Sequence, residues 1–362
     1  MKKKSKKTIY IIIAVILIIG LIIIGYSVYG NYQMSKIPEM SFTDCLNYTL
    51  KGNDNAVITV GIIKDGQASY TVYGKDGVKM QQEEHIYEIG SLTKTFTAAL
   101  IKKAVSEGKI NLNDTVDKYL DMPASNTYPT IEQLLTHTSG YKSLYFESPM
   151  IGNFFYGRND FYGINDDMLF SRLSGISATG ETQSFNYSNF GYATLGLVLE
   201  SVYSKDYATL VNIFALDELK LLNTYISDEQ GDLENYWNWN TDDAYLSAGG
   251  LTSTISDMLH YAQLQLSQEG ILANSHDSLA VIKASTESGK AIGINMDEIG
   301  FGWIIDTKND IIWHNGGTGA YNCYFGFCPT IETAVVILSN LAPDYRIPAT
   351  VMGTKLLLET SE

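Results

Sequence analysis

The run His85-Ile86-Tyr87-Glu88-Ile89-Gly90-Ser91-Leu92-Thr93-Lys94 changes its structural character within ten residues. The first half predicts a strand over His85–Ile89, and Gly90 interrupts it. Ser91 then opens an amphipathic helix to about Glu107, with apolar residues at Leu92, Phe96, Ala99, Leu100 and Val105. Residues three apart on a helix face the same way, with Cβ atoms roughly 5–6 Å apart. The Lys94 amine therefore reaches the Ser91 hydroxyl, which sits among the free N–H groups of the first turn. A serine becomes a nucleophile only beside a base, and Lys94 is the candidate. The spacing alone is weak, because Ser is an ordinary N-cap and Lys an ordinary helix residue. Ser106-Glu107-Gly108-Lys109 repeats it at a glycine stop, where an exposed turn is expected.

Upstream of this junction the sequence predicts a helix near Phe42–Lys51, capped by Ser41. A hairpin of Ala56–Ile63 and Ala68–Gly74 follows, closed by Lys64-Asp65-Gly66-Gln67. Downstream, helical periodicity recurs at Ile131–Thr136, Tyr192–Tyr203, Tyr207–Leu219 and Ser256–Leu266, while Tyr141–Gly163 has no period and reads as a loop. Strands return at Phe301–Asp306, Ile311–His314, Ala320–Phe327 and Ala334–Ser339, before a final helix near Pro348–Glu359. Strands at both ends and helices between them predict an α+β fold. Its antiparallel sheet is built from both chain ends and flanked by helices, with a helical second lobe and a cleft between the lobes.

The 362 residues carry a net charge of −15, distributed unevenly. Residues 1–30 hold five lysines and no acid, leaving 20 basic against 40 acidic residues in the remainder, a net −20. Such a body repels phosphate backbones, so no nucleic-acid partner is expected. No charge interrupts Thr8–Ser35, enough for the ~20 apolar residues of a membrane-spanning helix. Lysines at its N-terminal flank predict a cytoplasmic N-terminus and an external body. The expected organisation is a basic tail (1–8), a transmembrane anchor (9–29), a spacer (30–40) and a catalytic domain (41–362). A cleaved signal peptide is the rival, with Val28-Tyr29-Gly30 as its cleavage site, but the apolar run exceeds the roughly 7–15 residues usual there.

Cys45, Cys323 and Cys328 are too few and too odd for a disulfide framework. Cys323 and Cys328 fall on one predicted strand roughly 16 Å apart, beyond the roughly 7 Å that a bridge spans. Free, mostly buried thiols are expected. No H-E-x-x-H, H-x-H or cysteine-pair spacing occurs among the five histidines, so neither metal nor cofactor is expected. His137 has a structural reading, and His85, His260 and His276 stand isolated. No G-x-S-x-G occurs, which removes the nucleophile-elbow hydrolases.

Two further constellations accompany Ser91. Tyr187-Ser188-Asn189 lies where a loop meets the helix beginning at Phe190. A tyrosine near a lysine can serve as a base, because a cation favours the phenolate, and an asparagine offers one acceptor and two donors to an amide. Tyrosine is abundant, at 25 residues, and Tyr236-Trp237-Asn238 repeats the spacing. His314-Asn315-Gly316-Gly317-Thr318-Gly319-Ala320-Tyr321 ends one predicted strand and opens another. Its glycines allow close backbone approach, either as a plain hairpin or with N–H groups that complete an oxyanion hole.

S-x-x-K at a helix start, Y-x-N about a hundred residues on, and a strand-end H-x-G element resemble, in that order, the active-site serine penicillin-recognising enzymes. The chain most resembles the serine beta-lactamase-related family of class C beta-lactamases, D-alanyl-D-alanine carboxypeptidases, esterases and D-aminopeptidases. Leu134-Leu135-Thr136-His137-Thr138-Ser139-Gly140 and Ser247-Ala248-Gly249-Gly250-Leu251-Thr252-Ser253 fit as well. The resemblance implies Ser91 as acylated nucleophile, Lys94 as its proton-transfer partner, and Tyr187 as general base or acid. It implies Asn189 as the group orienting substrate amide and Lys94, and His314, Gly316 and Gly317 as the strand-end binding element. The N–H groups of Ser91 and Gly317 would bind the oxyanion. His314 departs from the lysine of beta-lactamases, so a permanent cation becomes an imidazole that attracts a carboxylate only below a pKa near 6.5. The implied function is a membrane-anchored, extracytoplasmic bacterial serine hydrolase. It would act through an acyl-enzyme on D-amino-acid amides or esters of the cell envelope, such as D-Ala-D-Ala peptides or D-alanylated polymers. The rival is a beta-lactam or wall-fragment binder of the same fold that does not turn over.

Overall fold

The computed structural model describes Tyr10, residues 35–226 and residues 231–361. Among them no helix is long and apolar enough to cross a membrane. The expected anchor, 9–29, lies outside the described residues apart from Tyr10. The spacer does not end as a free tether. Ile37–Glu39 forms a 3-10 turn and Ile37 is buried in the core.

The sheet joins the two chain ends, as the sequence predicts. Ser41 caps α1 (Phe42–Leu50) in a reciprocal pair with Asp44. The hairpin β1 (Ile58–Lys64) and β2 (Gln67–Tyr73) closes through Asp65-Gly66, both at positive φ (51° and 73°), the conformation that two-residue hairpin turns demand. β3 (Tyr87–Glu88) leads into α2 (Thr93–Ser106). The middle folds as α3 (Ile131–Leu135), α4 (Pro149–Tyr156), α5 (Asp166–Ser174), α6 (Asn189–Tyr203), α7 (Tyr207–Ile213), α8 (Leu246–Gly249), β4 (Thr252–Ser253) and α9 (Ile255–Ser267). The chain then lays down β5 (Ala280–Val281), α10 (Glu287–Lys290), β6 (Glu298–Ile299), β7 (Ile304–Asp306), β8 (Ile311–Gly317), β9 (Asn322–Cys328) and β10 (Thr333–Ser339), and ends in α11 (Ala349–Ser361). The order β2-β1-β10-β9-β8-β7-β6-β5 is antiparallel throughout, and Ile58 of β1 pairs with Ser339 of β10.

Period-two alternation distributes each central strand between two cores. Val335 and Ile337 of β10 face the core that holds α1 and α11, whereas Ala334, Val336 and Leu338 face the core under α9 and the helical lobe. Gly61 on β1 sits against Ile255 and Leu259 of α9, where a Cβ would come within 2.8 Å of the Ile255 side chain.

α2 carries the expected apolar face, and ten of its residues are buried, which makes it the central helix of the larger core. Two expectations needed correction. Tyr141–Gly163 is not all loop, because Pro149–Tyr156 forms α4, whose Phe154, Phe155 and Tyr156 are 77%, 79% and 75% exposed. With those rings outside, no buried stripe existed to give a period. The helix expected over Tyr207–Leu219 leaves α-geometry after Ile213 and finishes as a π turn, Phe214–Glu218.

Candidate active site

Ser91 sits in a 3-10 turn, Gly90–Leu92, one step before the α-helix proper. Side chains at i and i+3 eclipse in such a turn, so the geometry still brings Ser91 and Lys94 together. Gly90 has φ 47°, and a Cβ there would lie 2.7 Å from the Gly317 nitrogen. A Cβ on Gly316 would collide with the Ile89 carbonyl. These two glycines let the Ser91 turn and the end of β8 pack backbone against backbone. Gly317 therefore lines the cleft with Ser91, while Gly316 is a close-approach position behind it.

Lys94 is fully buried, and its Nζ lies 3.1 Å from Ser91 Oγ, 2.8 Å from Asn189 Oδ1 and 2.7 Å from the Ala248 carbonyl. Burial drives its pKa well below that of an ordinary lysine, since no carboxylate accepts from it. A neutral amine has two N–H groups and one lone pair. Lys94 Nζ donates to all three oxygens; once it loses a proton, Asn189 Oδ1 and Ala248 O, which are pure acceptors, would keep its two N–H groups and its lone pair would face the Ser91 hydroxyl. This is the geometry of a base. The Ser247–Ser253 motif is stitched to α2 by Thr97 Oγ1 donating to Ser247 O (2.6 Å) and Leu251 N–H donating to Thr93 Oγ1 (3.2 Å). That motif's contribution is the Ala248 carbonyl.

Tyr187 hydrogen-bonds Ser91, but burial raises its pKa above the ordinary phenol value. Lys94 Nζ is 4.9 Å from the ring centroid, so the expected lysine neighbour is in place, while burial works against the phenolate that a cation would favour. Tyr187 keeps its expected place beside Ser91 and Lys94. His137 positions it. The imidazole packs on the Tyr187 ring at 4.5 Å between centroids and accepts from Ser188 N–H at 3.0 Å through Nδ1. Burial lowers its pKa, and its φ of 58° turns its carbonyl to accept from Asn186 N–H at 2.9 Å. Ser188 caps α6 through Gly191 N–H (2.9 Å), setting Asn189 at the helix start.

His314 is buried, 6.5 Å from the Tyr187 ring between centroids, with Nδ1 2.6 Å from the Asn315 carbonyl. Burial pushes its pKa down to about 3. A pKa that low would leave His314 neutral across the physiological range, where the sequence expectation was an ordinary value near 6.5. The Ser106 copy of the spacing is inert, since Ser106 Oγ donates to Lys103 O and Lys109 pairs with Glu107 at 2.7 Å. His85 is not isolated, because its Nδ1 lies 2.7 Å from Asp232. All three cysteines are free and buried, and the Cys323 thiol donates to the Ile89 carbonyl at 3.1 Å.

Sequence reasoning missed the walls. Phe161, Trp237, Trp239 and Tyr245 line the cleft with Ser91, Asn189, Ala248, Gly249 and Gly317. Phe161 stacks on Tyr245 at 4.2 Å and 17°. Trp237 belongs to the Tyr236-Trp237-Asn238 run that had looked like a mere decoy. Glu88 was also missed. Its buried carboxylate accepts from Trp237 N–H (2.6 Å) and Thr318 Oγ1 (2.5 Å), and burial raises its pKa to about 7. The clue was an acid one residue from the end of an apolar strand.

Comparison with known proteins places the family and the fold. Protein flp of Staphylococcus aureus (strain MW2) is 27% identical over 287 residues, covering 72% of this chain and 53% of that protein. The chain thus spans about half the length of the S. aureus relatives it matches. An octameric penicillin-binding protein homologue from Pyrococcus abyssi has the same fold, with TM-score 0.67 and 23% identity over 84% of this chain and 72% of that one. A beta-lactamase/D-alanine carboxypeptidase from Yersinia pestis, solved with citrate, gives TM-score 0.68 and 20% identity over 92% and 99% of the two chains. The profile of the family described as Beta-lactamase matches residues 50–351, a span that carries both lobes and the cleft between them, and the chain belongs to that family of serine hydrolases.

Proposed function

We propose that this protein is an acyl-transferring hydrolase in which Ser91 Oγ attacks the carbonyl of a D-amino-acid ester or amide of the bacterial cell envelope. As the Oγ–C bond forms, the Ser91 proton passes to the neutral Lys94 amine. The N–H groups of Ser91 and Gly317 face the developing oxyanion, where preorganised donors are worth most. Tyr187, a phenol at ordinary pH, relays a proton to the leaving oxygen or nitrogen as the old bond breaks. Water then attacks the acyl-enzyme, and the proton path reverses. Asn189 holds Lys94 through its oxygen and offers its amide to the substrate. The observation that carries this reading is the Lys94 environment: two pure acceptors at 2.7 and 2.8 Å, and the Ser91 hydroxyl at 3.1 Å in the remaining direction.

Esters are favoured over free D-Ala-D-Ala termini on one ground. Burial holds the His314 pKa down at about 3, and among the described residues no lysine or arginine lines the cleft beside Ser91 to hold a terminal carboxylate. An external, membrane-anchored location rests on the lysine-flanked apolar run of residues 9–29. A chain that needs detergent for extraction and begins near Met1 supports the anchor, whereas mature chains beginning at Asn31 refute it. A fluorophosphonate should add one adduct to the peptide containing Ser91. Ser91→Ala should abolish it and Ser106→Ala should not. Labelling that persists in Ser91→Ala refutes the assignment, and a single label without ester turnover favours the binding protein instead.

A further inference from the structure

A second hollow adjoins the Ser91 cleft and shares Trp237 with it. Tyr156, Arg158, Asn235, Asn238 and Gly319 are among its lining residues, and no carboxylate is. Arg158 is fixed there by the way α4 ends. Gly157 adopts φ 61° and stops the helix, and Arg158 N–H then donates back to the Asn153 carbonyl at 3.1 Å. The buried Asn153 amide donates to the carbonyls of Asp160 (3.2 Å) and Tyr162 (2.8 Å), closing the turn around Arg158. The guanidinium carbon lies 4.8 Å from the Tyr156 ring centroid and 4.9 Å from that of Tyr162.

Two tyrosine rings restrain the guanidinium but satisfy none of its N–H donors. Among the described residues, no carboxylate or carbonyl accepts from it. The half-buried Trp237 indole N–H and the exposed side-chain amides of Asn235 and Asn238 likewise have no protein partner among the described residues and are open to solvent or a ligand. In a chain with 40 acidic residues, a half-buried arginine without a carboxylate partner and with further donors around it has the chemistry that an oxyanion needs. The other wall is equally fixed. Trp237 is held by Glu88 through its backbone N–H, and a Cβ on Gly319 would collide with the indole nitrogen.

We propose that this groove is a substrate subsite for a phosphate group remote from the scissile carbonyl, with Arg158 as its cation and the Trp237 and Asn donors around it. The proposal deepens the acyl-transfer reading at Ser91 and rests on it for the substrate's ester end. Phosphate is favoured over carboxylate because donors from several separate side chains suit a tetrahedral group with several oxygens. The single guanidinium fork would suffice for a planar carboxylate.

The test uses the full chain in detergent and three D-alanyl esters: of glycerol, of glycerol 3-phosphate and of D-lactate. Arg158→Met should raise KM for the phosphate ester by about 10-fold or more, the scale of a lost charged hydrogen bond, with kcat unchanged. KM for the glycerol ester should not move, and Arg158→Lys should recover part of the loss. Equal effects of Arg158→Met on the glycerol and phosphate esters overturn the proposal. So does a wild type that does not prefer the phosphate ester, and an effect confined to the lactate ester shows a carboxylate site instead. Titrating glycerol 3-phosphate into Ser91→Ala, followed by tryptophan fluorescence, separates the two readings. Saturable binding that is lost on adding Arg158→Met supports the groove even where Ser91 takes no label. Absence of binding, with Ser91 labelled normally, overturns the groove and leaves the acyl-transfer reading standing.

Discussion

Replacing Glu88 with glutamine tests how the catalytic turn and the cleft wall are tied together. The carboxyl is 5% exposed, and it bonds Trp237 N–H at 2.6 Å and Thr318 Oγ1 at 2.5 Å. One bond fixes an aromatic wall and the other the residue after Gly317. Burial outweighs both bonds and raises the pKa from 4.5 to about 7. A carboxyl that holds its proton more tightly when folded stabilises the fold fully below pH 4.5, and that contribution is lost as pH rises through about 7. The interval from 4.5 to about 7, at about 1.4 kcal/mol per pH unit, makes the loss ~3 kcal/mol. Glu88→Gln keeps the shape: its amide oxygen accepts from Trp237 and its amide nitrogen donates to Thr318, with no titration. In urea unfolding of the full chain in detergent, the variant should therefore gain ~3 kcal/mol on the wild type between about pH 4 and 8. The wild type's acylation rate should also show an inflection near pH 7 that the variant lacks. A stability difference that is flat across that range refutes the reasoning, because it would mean that Glu88 is already ionised or not buried in the fold.

Lys94→Ala and Tyr187→Phe should each slow acylation by about 100-fold or more, the scale of lost general acid–base assistance. Pre-steady-state acylation measures this, and near wild-type rates in either variant remove that residue from the mechanism. Lys94→Ala should also destabilise the fold by about 1–3 kcal/mol, because Asn189 Oδ1 and Ala248 O lose their donor. Tyr187→Phe should leave stability nearly unchanged. His314 is neutral down to about pH 3. The ratio of kcat/KM for a penicillin to that for a neutral ester should therefore be flat between about pH 5 and 8, and a ratio that climbs toward pH 5 would show a titrating imidazole at the cleft.

What the sequence revealed and what it hid divide along a physical line. The Ser91–Lys94 pair was legible because it is local: three residues along a turn determine the contact whether that turn is 3-10 or α. The sheet was legible because β1, β9 and β10 carry runs of apolar and β-branched residues bounded by turns, and both faces of β10 are buried. The states of the site's groups were not legible, since protonation depends on what surrounds a side chain in three dimensions. Tyr187 looked like a phenolate beside a cation and His314 like a histidine of ordinary pKa. Both readings took ordinary solvent exposure for granted, whereas the fold buries both groups. The walls were hidden for a related reason. Phe161, Trp237 and Tyr245 come from three separate segments, and Glu88 ties one of them to Thr318 across 230 residues of sequence. Motif reading finds groups that act on near neighbours, whereas specificity in this fold is assembled from loops whose meeting is set by the tertiary structure. The chemical class was therefore readable from Ser91, Lys94, Tyr187 and Asn189. The proposed substrate preference rests on Arg158 and Trp237, with Glu88 behind them, residues whose significance appears only when their partners are known.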